Sequence, residues 1–325
     1  MDRRQTSLGL LGFCVVALSS AVAARAGDSP STVRIGYQKS STLVAVLKAN
    51  GELEKDLSKL GVLVKWSEFQ NGLPVLEALN VGAIDVSGDV ADTVPVFAQA
   101  AGADLIYIAS EAPSPSAQAL LVPKTSPISS VKELKGKKVA VTKAAGSHYL
   151  LIAALAREGL DFKDVTPAYL SPSDGRAAFE KGAVDAWVTW DPFVAAAVKQ
   201  SGARILTDGN GLANYNRYYL ASSAFAAARP DVLRLIFDRL KTAGQWVKKN
   251  PDAAVKILSP VWKLDPAIIE QANSHRSYDV REVSQANLAD EQKIADTFFA
   301  QHLLPHAIKA TDAKIWSPSK QASAN

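Results

Sequence analysis

The sequence almost lacks cysteine. Its 325 residues contain one, Cys14, which lies in an apolar run near the start of the chain. From residue 15 onward the chain therefore forms no disulfide, carries no thiol nucleophile and offers no thiolate ligand to a metal ion. These absences exclude a disulfide-stapled scaffold and cysteine-based catalysis, and they leave a domain that must be held together by its hydrophobic core.

A strong charge of one sign is also missing. Lys and Arg number 36 against 32 Asp and Glu, and without residues 1–26 the formal net charge is +2. This near-neutral balance gives no reason to expect a nucleic acid or an anionic membrane as partner. After residue 26 no apolar stretch is long enough to span a bilayer. Hydrophobic residues nevertheless make up 48% of the chain, which is enough for one large core or two smaller ones.

The first 26 residues have the pattern of a secretory signal peptide. Arg3 and Arg4 precede an apolar run over 8–18, and small residues follow as far as Ala26. The run is too short for a membrane-spanning helix, and the small residues are typical of a cleavage site. We therefore expect an exported, periplasmic protein whose mature chain begins near Gly27.

Two segments of the chain repeat at an offset of 100 residues. "GAIDVSGDVADTVPVFAQAAGADLIYIA", from Gly82, aligns with "GAVDAWVTWDPFVAAAVKQSGARILTD", from Gly182. The matched pairs include Asp85 with Asp185, and Gly102 with Gly202. Each segment has the pattern of a strand, a loop, a helix that ends at glycine, and another strand. Matches at both ends of the unit favour an internal duplication.

The alternation of strands and helices predicts an α/β fold of two lobes, each with a mostly parallel sheet flanked by helices. We expect residues 27–118 and 219–317 to form the first lobe and residues 119–218 to form the second. After residue 220 amphipathic helices predominate, over 230–250, 252–262, 265–274 and 284–304. We expect this helical C-terminal tail to pack against the first lobe and residues 318–325 to be disordered.

Ligands of open parallel sheets bind beyond the carboxyl ends of the strands. Four loops follow predicted strands in this way: "YQKSST", "GDVADT", "AAGSH" and "TWDP". With the two sheets facing each other, we expect these loops to surround one cleft. Ser147 then stands where a helix begins, as an ordinary N-cap or as part of a seat for an anion.

Evidence for catalysis in the sequence is weak. His302 and His306 have the spacing of metal ligands, but Pro305 ends a helix that would align them, and no acidic signature accompanies them. The nucleophile elbow, the Walker sequence and the dinucleotide-binding glycine motif are all missing. Carboxylates at predicted helix starts are more often caps than catalytic pairs. We expect no enzymatic activity, no cofactor and no metal.

Candidate ligand contacts come from the four loops and the tail. Donors precede the first helix at Gln38, Lys39 and Ser41, and Lys39 is equally a solvated loop lysine. The next loop offers Asp89, Asp92 and Thr93. Trp190, at the exit of an apolar strand, is suited to form an apolar wall, and Arg276 either closes over an anion or lies at the surface.

Six stretches of the chain carry a family resemblance. They are "RIGYQK", "LEALNVGAIDV", "VPVFAQAAGADLIY", "SPISSVKELKGKKVAV", "YLSPSDGRAAFEKGAVDAWVTWDPF" and "YYLASSAFA". Together, from about Val33 to Trp316, the chain resembles the periplasmic aliphatic-sulfonate-binding proteins of ABC importers, within the wider nitrate, taurine and sulfonate group. The loop "GDVADTVPV" departs from the pattern of these proteins, with Val94 where they have the first proline.

The resemblance implies a hinged, type II periplasmic-binding-protein fold that delivers an alkanesulfonate to an inner-membrane permease, and we expect a monomer. The family's pocket positions correspond to Gln38, Ser147, His148, Trp190, Asp191 and Arg276, and Gly146, which precedes Ser147 in the same loop, is a further candidate contact. A sulfonate is a permanent anion with three acceptor oxygens, so it needs fixed donors, and its tail needs an apolar wall.

Other ligands and activities stay open at this stage. Taurine, nitrate and a thiamine-precursor pyrimidine are alternatives within the same class, and taurine would need a carboxylate such as Asp92 or Asp191 near its ammonium group. A sulfinate desulfinase shares the fold but uses a cysteine nucleophile, which residues 15–325 lack. A chemoreceptor module would differ only in its partner.

Overall fold

Two sheets organise residues 31–318, the part of the chain that the computed structural model describes. The strands of the first sheet are β1 (Ser31–Gln38), β2 (Val62–Phe69), β3 (Val86–Ala91), β4 (Leu105–Glu111), β10 (Arg217–Ser222), β11 (Val280–Arg281) and β12 (Lys314–Ile315). The strands of the second sheet are β5 (Gln118–Val122), β6 (Lys138–Val141), β7 (Thr166–Tyr169), β8 (Ala186–Trp190) and β9 (Arg204–Asp208). The predicted α/β fold with two lobes is therefore confirmed.

The two sheets share one strand order. The first runs β4-β10-β3-β1-β2, with β11 and β12 beside β4, and the second runs β9-β5-β8-β6-β7. Strands β3 and β8 occupy equivalent places and lie 100 residues apart in the sequence. The repeat in the sequence thus corresponds to a repeat of topology.

Both sheets are mixed rather than mostly parallel. β1 pairs in parallel with β2 and β3, and β6 pairs in parallel with β7 and β8. β10 is antiparallel to both of its neighbours, and so is β5. The reason lies in the connectivity, because β5 and β10 are the strands by which the chain enters each sheet from the other lobe.

Twelve α-helices surround the sheets within residues 31–318. They are α1 (Thr42–Asn50), α2 (Glu52–Ser58), α3 (Gly72–Asn80), α4 (Thr93–Ala100), α5 (Gly146–Arg157), α6 (Pro172–Glu180), α7 (Phe193–Ser201), α8 (Ser223–Ala228), α9 (Pro230–Lys249), α10 (Pro251–Trp262), α11 (Pro266–Ser274) and α12 (Gln285–Ala300). Within this part of the chain, none of the helices combines the length and apolar character that a bilayer crossing requires.

The repeated glycines end equivalent helices. Gly102 follows α4 with a φ of 76°, and Gly202 follows α7 with a φ of 62°. Both values lie in the left-handed region, which glycine adopts without the steric cost that a Cβ atom brings. Each glycine therefore turns the chain from a helix into the next strand.

The C-terminal helices contact the second lobe as well as the first. α9 and α10 pack on α1 in the first lobe. On α11, Ile268 and Ala272 pack against Ala195 and Ala196 of α7, in the second lobe. On α12, Phe298 packs among side chains of the second lobe. The tail thus connects the lobes at two places besides the chain crossings.

Two short segments carry the chain between the lobes, one over residues 112–117 and the other over residues 209–216. They run side by side and are hydrogen-bonded to each other. The Gly209 N–H donates to the Pro115 carbonyl at 3.1 Å, and the Ser114 N–H donates to the Asn214 carbonyl at 3.0 Å. This paired crossing is the natural place for a hinge. The predicted signal peptide, residues 1–26, lies outside the described residues.

Candidate ligand-binding site

A narrow pocket lies between the lobes, where the strand ends of both sheets meet. Its empty space, open solvent at the mouth included, amounts to about 280 Å³, of which only about 10 Å³ is available to the centre of a water-sized molecule. Its lining residues come from both lobes and from one crossing: Gln38, Asn71, Gly72, Leu73, Ala91, Val94, Lys143, Ala144, Ala145, Gly146, Trp190 and Tyr215. All four loops that the sequence predicts around a cleft contribute to this lining. The N-terminal end of α3 also contributes, although it is not among the loops predicted from the sequence.

The N-terminus of α5 forms one wall of the pocket and provides backbone N–H donors there. The helix begins at Gly146, and its N-cap is Ala145, which provides no side-chain cap. The first turn of a helix has N–H groups without intrahelical partners and a partial positive charge. A Cβ atom on Gly146 would overlap the ring of Tyr215, so only glycine lets this helix approach the crossing so closely.

Ser147 is not the N-cap of α5, so the first of its two predicted roles, that of an ordinary cap, is wrong. It lies inside the first turn, fully buried, and its hydroxyl has no hydrogen-bond partner among the described residues. A buried hydroxyl without a partner costs free energy. Ser147 therefore contributes an unused donor next to the wall that Gly146 forms.

His148 faces the interior of the second lobe instead of the pocket. Its ring lies 5.0–5.6 Å from the rings of Phe162, Tyr169 and Phe298, and its Nδ1 is 3.4 Å from the Ala144 N–H, which donates to it. Burial lowers the pKa of His148 to about 3, and the positive charge of Lys143 acts in the same direction. His148 is thus a neutral core histidine, and this geometry gives no support to its predicted contact with an anion.

The loop before α1 is fixed by hydrogen bonds to β3. The Gln38 side-chain amide donates to the Asp89 carbonyl at 2.8 Å, and the Ser41 hydroxyl accepts from the Gln38 N–H at 3.3 Å. Gln38 and Ser41 are buried, and of the two Gln38 lines the pocket. Lys39 is exposed and does not line it.

Behind this loop lies a buried network of two arginines and two carboxylates. Arg276 Nη2 lies 2.7 Å from both carboxylate oxygens of Glu111 and 3.2 Å from Asp89 Oδ2, while Arg217 pairs with the same Asp89 oxygen. Burial alone would raise the pKa of Asp89, but the two guanidinium groups outweigh it and hold that pKa below its ordinary value. Arg276 is therefore committed to carboxylates, and neither of its predicted alternatives, an anion clamp or a surface arginine, describes this arrangement.

The side chains of Asp92 and Thr93, which follow β3, bond one lobe to the other or to the crossing and do not line the pocket. The Thr93 hydroxyl donates across the cleft to the Ala144 carbonyl at 2.6 Å. Asp92 Oδ2 accepts from the Asn216 N–H at 2.8 Å, beside the crossing. Burial raises the pKa of Asp92 to about 7, although backbone N–H groups oppose the shift.

The turn after β8 provides an apolar wall and two contacts with the first lobe. The ring of Trp190 lines the pocket, and its Nε1 donates to the Ser40 hydroxyl at 3.2 Å. Asp191 does not line the pocket, because its carboxylate caps α7 through the Ala195 N–H and contacts His275. The indole thus faces the pocket while the neighbouring carboxylate turns away from it.

Within residues 31–318 no group of three or more His, Cys, Asp and Glu side chains has the arrangement of metal ligands. His302 and His306 are exposed and follow the end of α12, so no helix aligns them. The buried Asp89 is neutralised by arginines, which leaves it unsuited to act as a general base.

Six lining residues lie outside the four predicted loops: Asn71, Gly72, Leu73, Val94, Lys143 and Tyr215. Asn71 caps α3 by accepting from the Leu73 N–H, directly after β2, so the rule that found the other loops also applied to it. Tyr215 has a φ of 54°, a conformation that its sequence does not signal. Lys143 is an exposed loop lysine at the outer end of the pocket, distinguished only by its place after β6.

Comparisons with known proteins agree on one family. The family model described as NMT1/THI5 like matches residues 58–254. The chain is 38% identical to a protein of Escherichia coli strain K12 named as an aliphatic sulfonates-binding protein, over 98% of each chain. It is 28% identical to the taurine-binding periplasmic protein of the same organism, over 71% of each chain.

A solved structure resembles the whole described fold. It is the alkanesulfonate-binding protein SsuA of Xanthomonas axonopodis pv. citri, bound to MOPS, with a TM-score of 0.83 at 38% identity. The similarity covers 89% of this chain and 99% of that chain.

Proposed function

Because this chain belongs to the NMT1/THI5-like family of proteins with the periplasmic-binding-protein fold, we propose that it captures sulfonates and delivers them to an ABC permease in the inner membrane. The observation that carries the proposal is the composition of the interlobe pocket. Backbone donors and Gln38 line it together with Trp190, and none of its lining residues is acidic. Such a lining suits an anion with an apolar tail.

The sulfonate head is proposed to bind at the α5 N-terminus. Three oxygens accept hydrogen bonds, and the first-turn N–H groups near Gly146 are donors that need partners. The buried Ser147 hydroxyl, which has no partner among the described residues, is a further donor at the same end of the helix. The Gln38 carboxamide reaches the pocket from the other lobe. Of the contacts predicted from the sequence, we retain Gln38, Gly146, Ser147 and Trp190.

The remaining predicted residues support the site from outside the pocket. Lys39 is a solvated lysine, and Ser41, Asp89 and Arg276 fix the loop that carries Gln38. Thr93, Asp92 and Asp191 bond one lobe to the other or to the crossing. In this proposal their substitution changes lobe closure or stability, and the direct contacts of the ligand stay intact.

The alkyl chain of the sulfonate is proposed to lie along Trp190, Val94 and Leu73. These apolar side chains line the same pocket, whose outer end carries Asn71 and the cation Lys143. An ammonium group, as in taurine, finds no carboxylate in this lining, because Asp92 and Asp191 do not reach it. The geometry therefore favours an alkanesulfonate over taurine. It also favours an alkanesulfonate over nitrate and sulfate, because these ions have no alkyl chain to bury against the apolar wall.

A binding role is favoured over an enzymatic one. A sulfinate desulfinase needs a cysteine nucleophile, and residues 31–318 contain none. The taurine-binding relative is periplasmic by name, and we propose the same location here, reached through the signal peptide predicted at residues 1–26. A monomer is sufficient for this role, because both walls of the pocket come from one chain.

A thermal-shift screen of the mature chain tests the proposed function. Pentanesulfonate should raise the melting temperature, since a ligand at a hundredfold excess over Kd stabilises by about 2.7 kcal/mol. Taurine, nitrate, sulfate and a pyrimidine should raise it much less. A sulfate shift as large as the pentanesulfonate shift would contradict the apolar tail site, and sulfite released from an aryl sulfinate would contradict the binding role.

A further inference from the structure

A contact between an aspartate and a histidine links the turn after β8 to the C-terminal tail. Asp191 Oδ2 lies 2.6 Å from His275 Nδ1, and Asp191 Oδ1 accepts from the Ala195 N–H at 3.0 Å. The Asp191 side chain is 1% exposed, whereas that of His275 is 24% exposed. The carboxylate is thus almost sealed from water, and its partner is still accessible to solvent protons.

Asp191 belongs to the second lobe, whereas His275 lies in the C-terminal tail, at the end of α11, which contacts both lobes. Asp191 follows β8 of the second lobe, and its carboxylate caps α7. His275 directly precedes Arg276, whose guanidinium donates to the Ser40 carbonyl at 3.1 Å and to Thr42 Oγ1 at 3.2 Å. Arg276 also pairs with carboxylates of the first sheet. Opening in which this segment moves with the first lobe therefore parts His275 from Asp191 and also breaks the packing of α11 on α7.

The pair is also next to the proposed ligand wall. Trp190 precedes Asp191 and lines the pocket, and its indole donates to the Ser40 hydroxyl across the cleft. Ser40 accepts through its carbonyl from Arg276 as well. Trp190 of the second lobe and Arg276 of the C-terminal tail thus both bond to Ser40. Because Asp191 and His275 are their direct neighbours in the chain, the Asp191–His275 contact helps to set the position of the Trp190 ring.

We propose that the Asp191–His275 pair is a proton-dependent closure contact, which holds the lobes together over the ligand when His275 is protonated. The proposal rests on the proposed function, since it concerns closure over a bound sulfonate. In it, Asp191 and His275 are positioning residues that do not touch the ligand. Removing His275 would leave Asp191 Oδ2 without its partner in the closed form, which favours opening.

The charges around the pair determine the direction of the pH effect. The hydrogen bond to Asp191 raises the pKa of His275, burial opposes the shift, and Asp208 adds to it. Burial raises the pKa of Asp191, whereas His275 and Arg217 lower it. In an open form the ring no longer meets Asp191, and its pKa returns toward about 6.5. His275 therefore binds its proton more tightly in the closed form than in the open form. As pH rises through the neutral range and His275 loses that proton, the closed form becomes less favourable.

Calorimetric titration with pentanesulfonate between pH 5.5 and 8.5 tests the proposal. A sulfonate keeps its charge throughout this range, so the ligand itself contributes no pH dependence. We expect the affinity of the mature protein to fall about fivefold with rising pH, the effect of one partly exposed ion pair. At pH 7, titrations in buffers of different ionisation enthalpy should show proton uptake on binding.

Two variants and a matched control isolate the pair. His275→Asn keeps a donor near the Nδ1 position without a titrating charge, and Asp191→Asn removes the negative partner. Both should bind pentanesulfonate with little pH dependence and without proton uptake. His306→Asn, at an exposed histidine outside the pocket lining, should keep the full pH dependence.

An unchanged pH slope in His275→Asn would overturn the proposal, and so would pH-independent binding by the parent protein. The second result would still leave the proposed function standing, because the ligand binds. Failure of pentanesulfonate to bind at every pH would instead overturn the proposed function, so the two failures are distinguishable.

Discussion

The indole Nε1 of Trp190 donates a hydrogen bond across the cleft to the hydroxyl of Ser40 at 3.2 Å, and both residues are buried. The bond joins the strand end of one sheet to the loop that follows β1 in the other. Together with Thr93, whose hydroxyl meets the Ala144 carbonyl, it closes the two lobes over the pocket. Ligand capture and lobe closure therefore depend on the same side chains, and closure should be separable from folding by mutation.

Gly146→Ala should weaken pentanesulfonate binding by about 1–3 kcal/mol, the usual cost of overpacking. The added methyl group would overlap the Tyr215 ring where α5 approaches the crossing, so it opposes closure. Gly175→Ala is the contrasting variant, because its methyl group would press on Trp187 inside the second lobe. It should lower the melting temperature and spare affinity, and the reverse pattern in calorimetry and thermal melts would contradict this explanation.

Ser147→Ala should weaken binding by about 1.5–3 kcal/mol, the value of a hydrogen bond to a charged group. Because Ser147 is not the N-cap and its hydroxyl has no partner among the described residues, the ligand-free protein should lose no stability. Calorimetry and thermal melting of the same preparation measure both quantities. Lost stability with full affinity would show that the hydroxyl has a structural role and does not hold the anion.

Arg276→Gln should lower the free energy of unfolding by about 3–5 kcal/mol, because Asp89 and Glu111 would be left as buried carboxylates with fewer partners. Arg281→Gln is the matched control, since Arg281 is exposed and pairs with the exposed Asp279. That variant should change stability by less than about 1 kcal/mol. Equal effects of the two substitutions in denaturant unfolding would contradict the structural role of the network.

Replacing His148 should change the acid stability of the protein and leave the pH dependence of binding intact. Folded His148 stays neutral until about pH 3, whereas an unfolded histidine titrates near 6.5. Between these values the unfolded chain binds more protons, so His148 lowers stability as pH falls, by up to about 1.4 kcal/mol per unit.

In His148→Leu this contribution disappears, and unfolding free energies measured from pH 4 to pH 7 should fall less steeply in acid than those of the parent. Superimposable slopes would show that His148 is not the neutral core residue described above.

The positions of the loops were predictable from the sequence, but the directions of their side chains were not. The rule on carboxyl ends of strands brought Gln38, Gly146 and Trp190 to one pocket. Neighbouring residues of a helix point in directions about 100° apart. A shift of the helix start by one residue therefore changes which side chains face the pocket and which face the core. The sequence allows Ser147 to be the N-cap or part of an anion seat, but the helix begins one residue earlier, at Gly146, so Ser147 is not the cap and His148 lies in the core.

Long-range partners account for the other differences. Arg276 has the sequence context of an anion clamp, yet Glu111 and Asp89 reach it from 165 and 187 residues away. Similarly, His275 carries no local signal for Asp191, because the two meet only when the tail packs against the second lobe. The repeat predicted the two lobes, and the contacts between them arise from tertiary packing.

The most direct test of the central claim is a calorimetric comparison of pentanesulfonate and taurine on the mature protein at one pH. The pocket lining offers donors for the sulfonate head, an apolar wall for the tail and no carboxylate for an ammonium group. Pentanesulfonate should therefore bind with a Kd in the micromolar range, about −8 kcal/mol, and taurine at least tenfold more weakly. Taurine binding as tight as pentanesulfonate binding, or no binding of either, would contradict the proposed function.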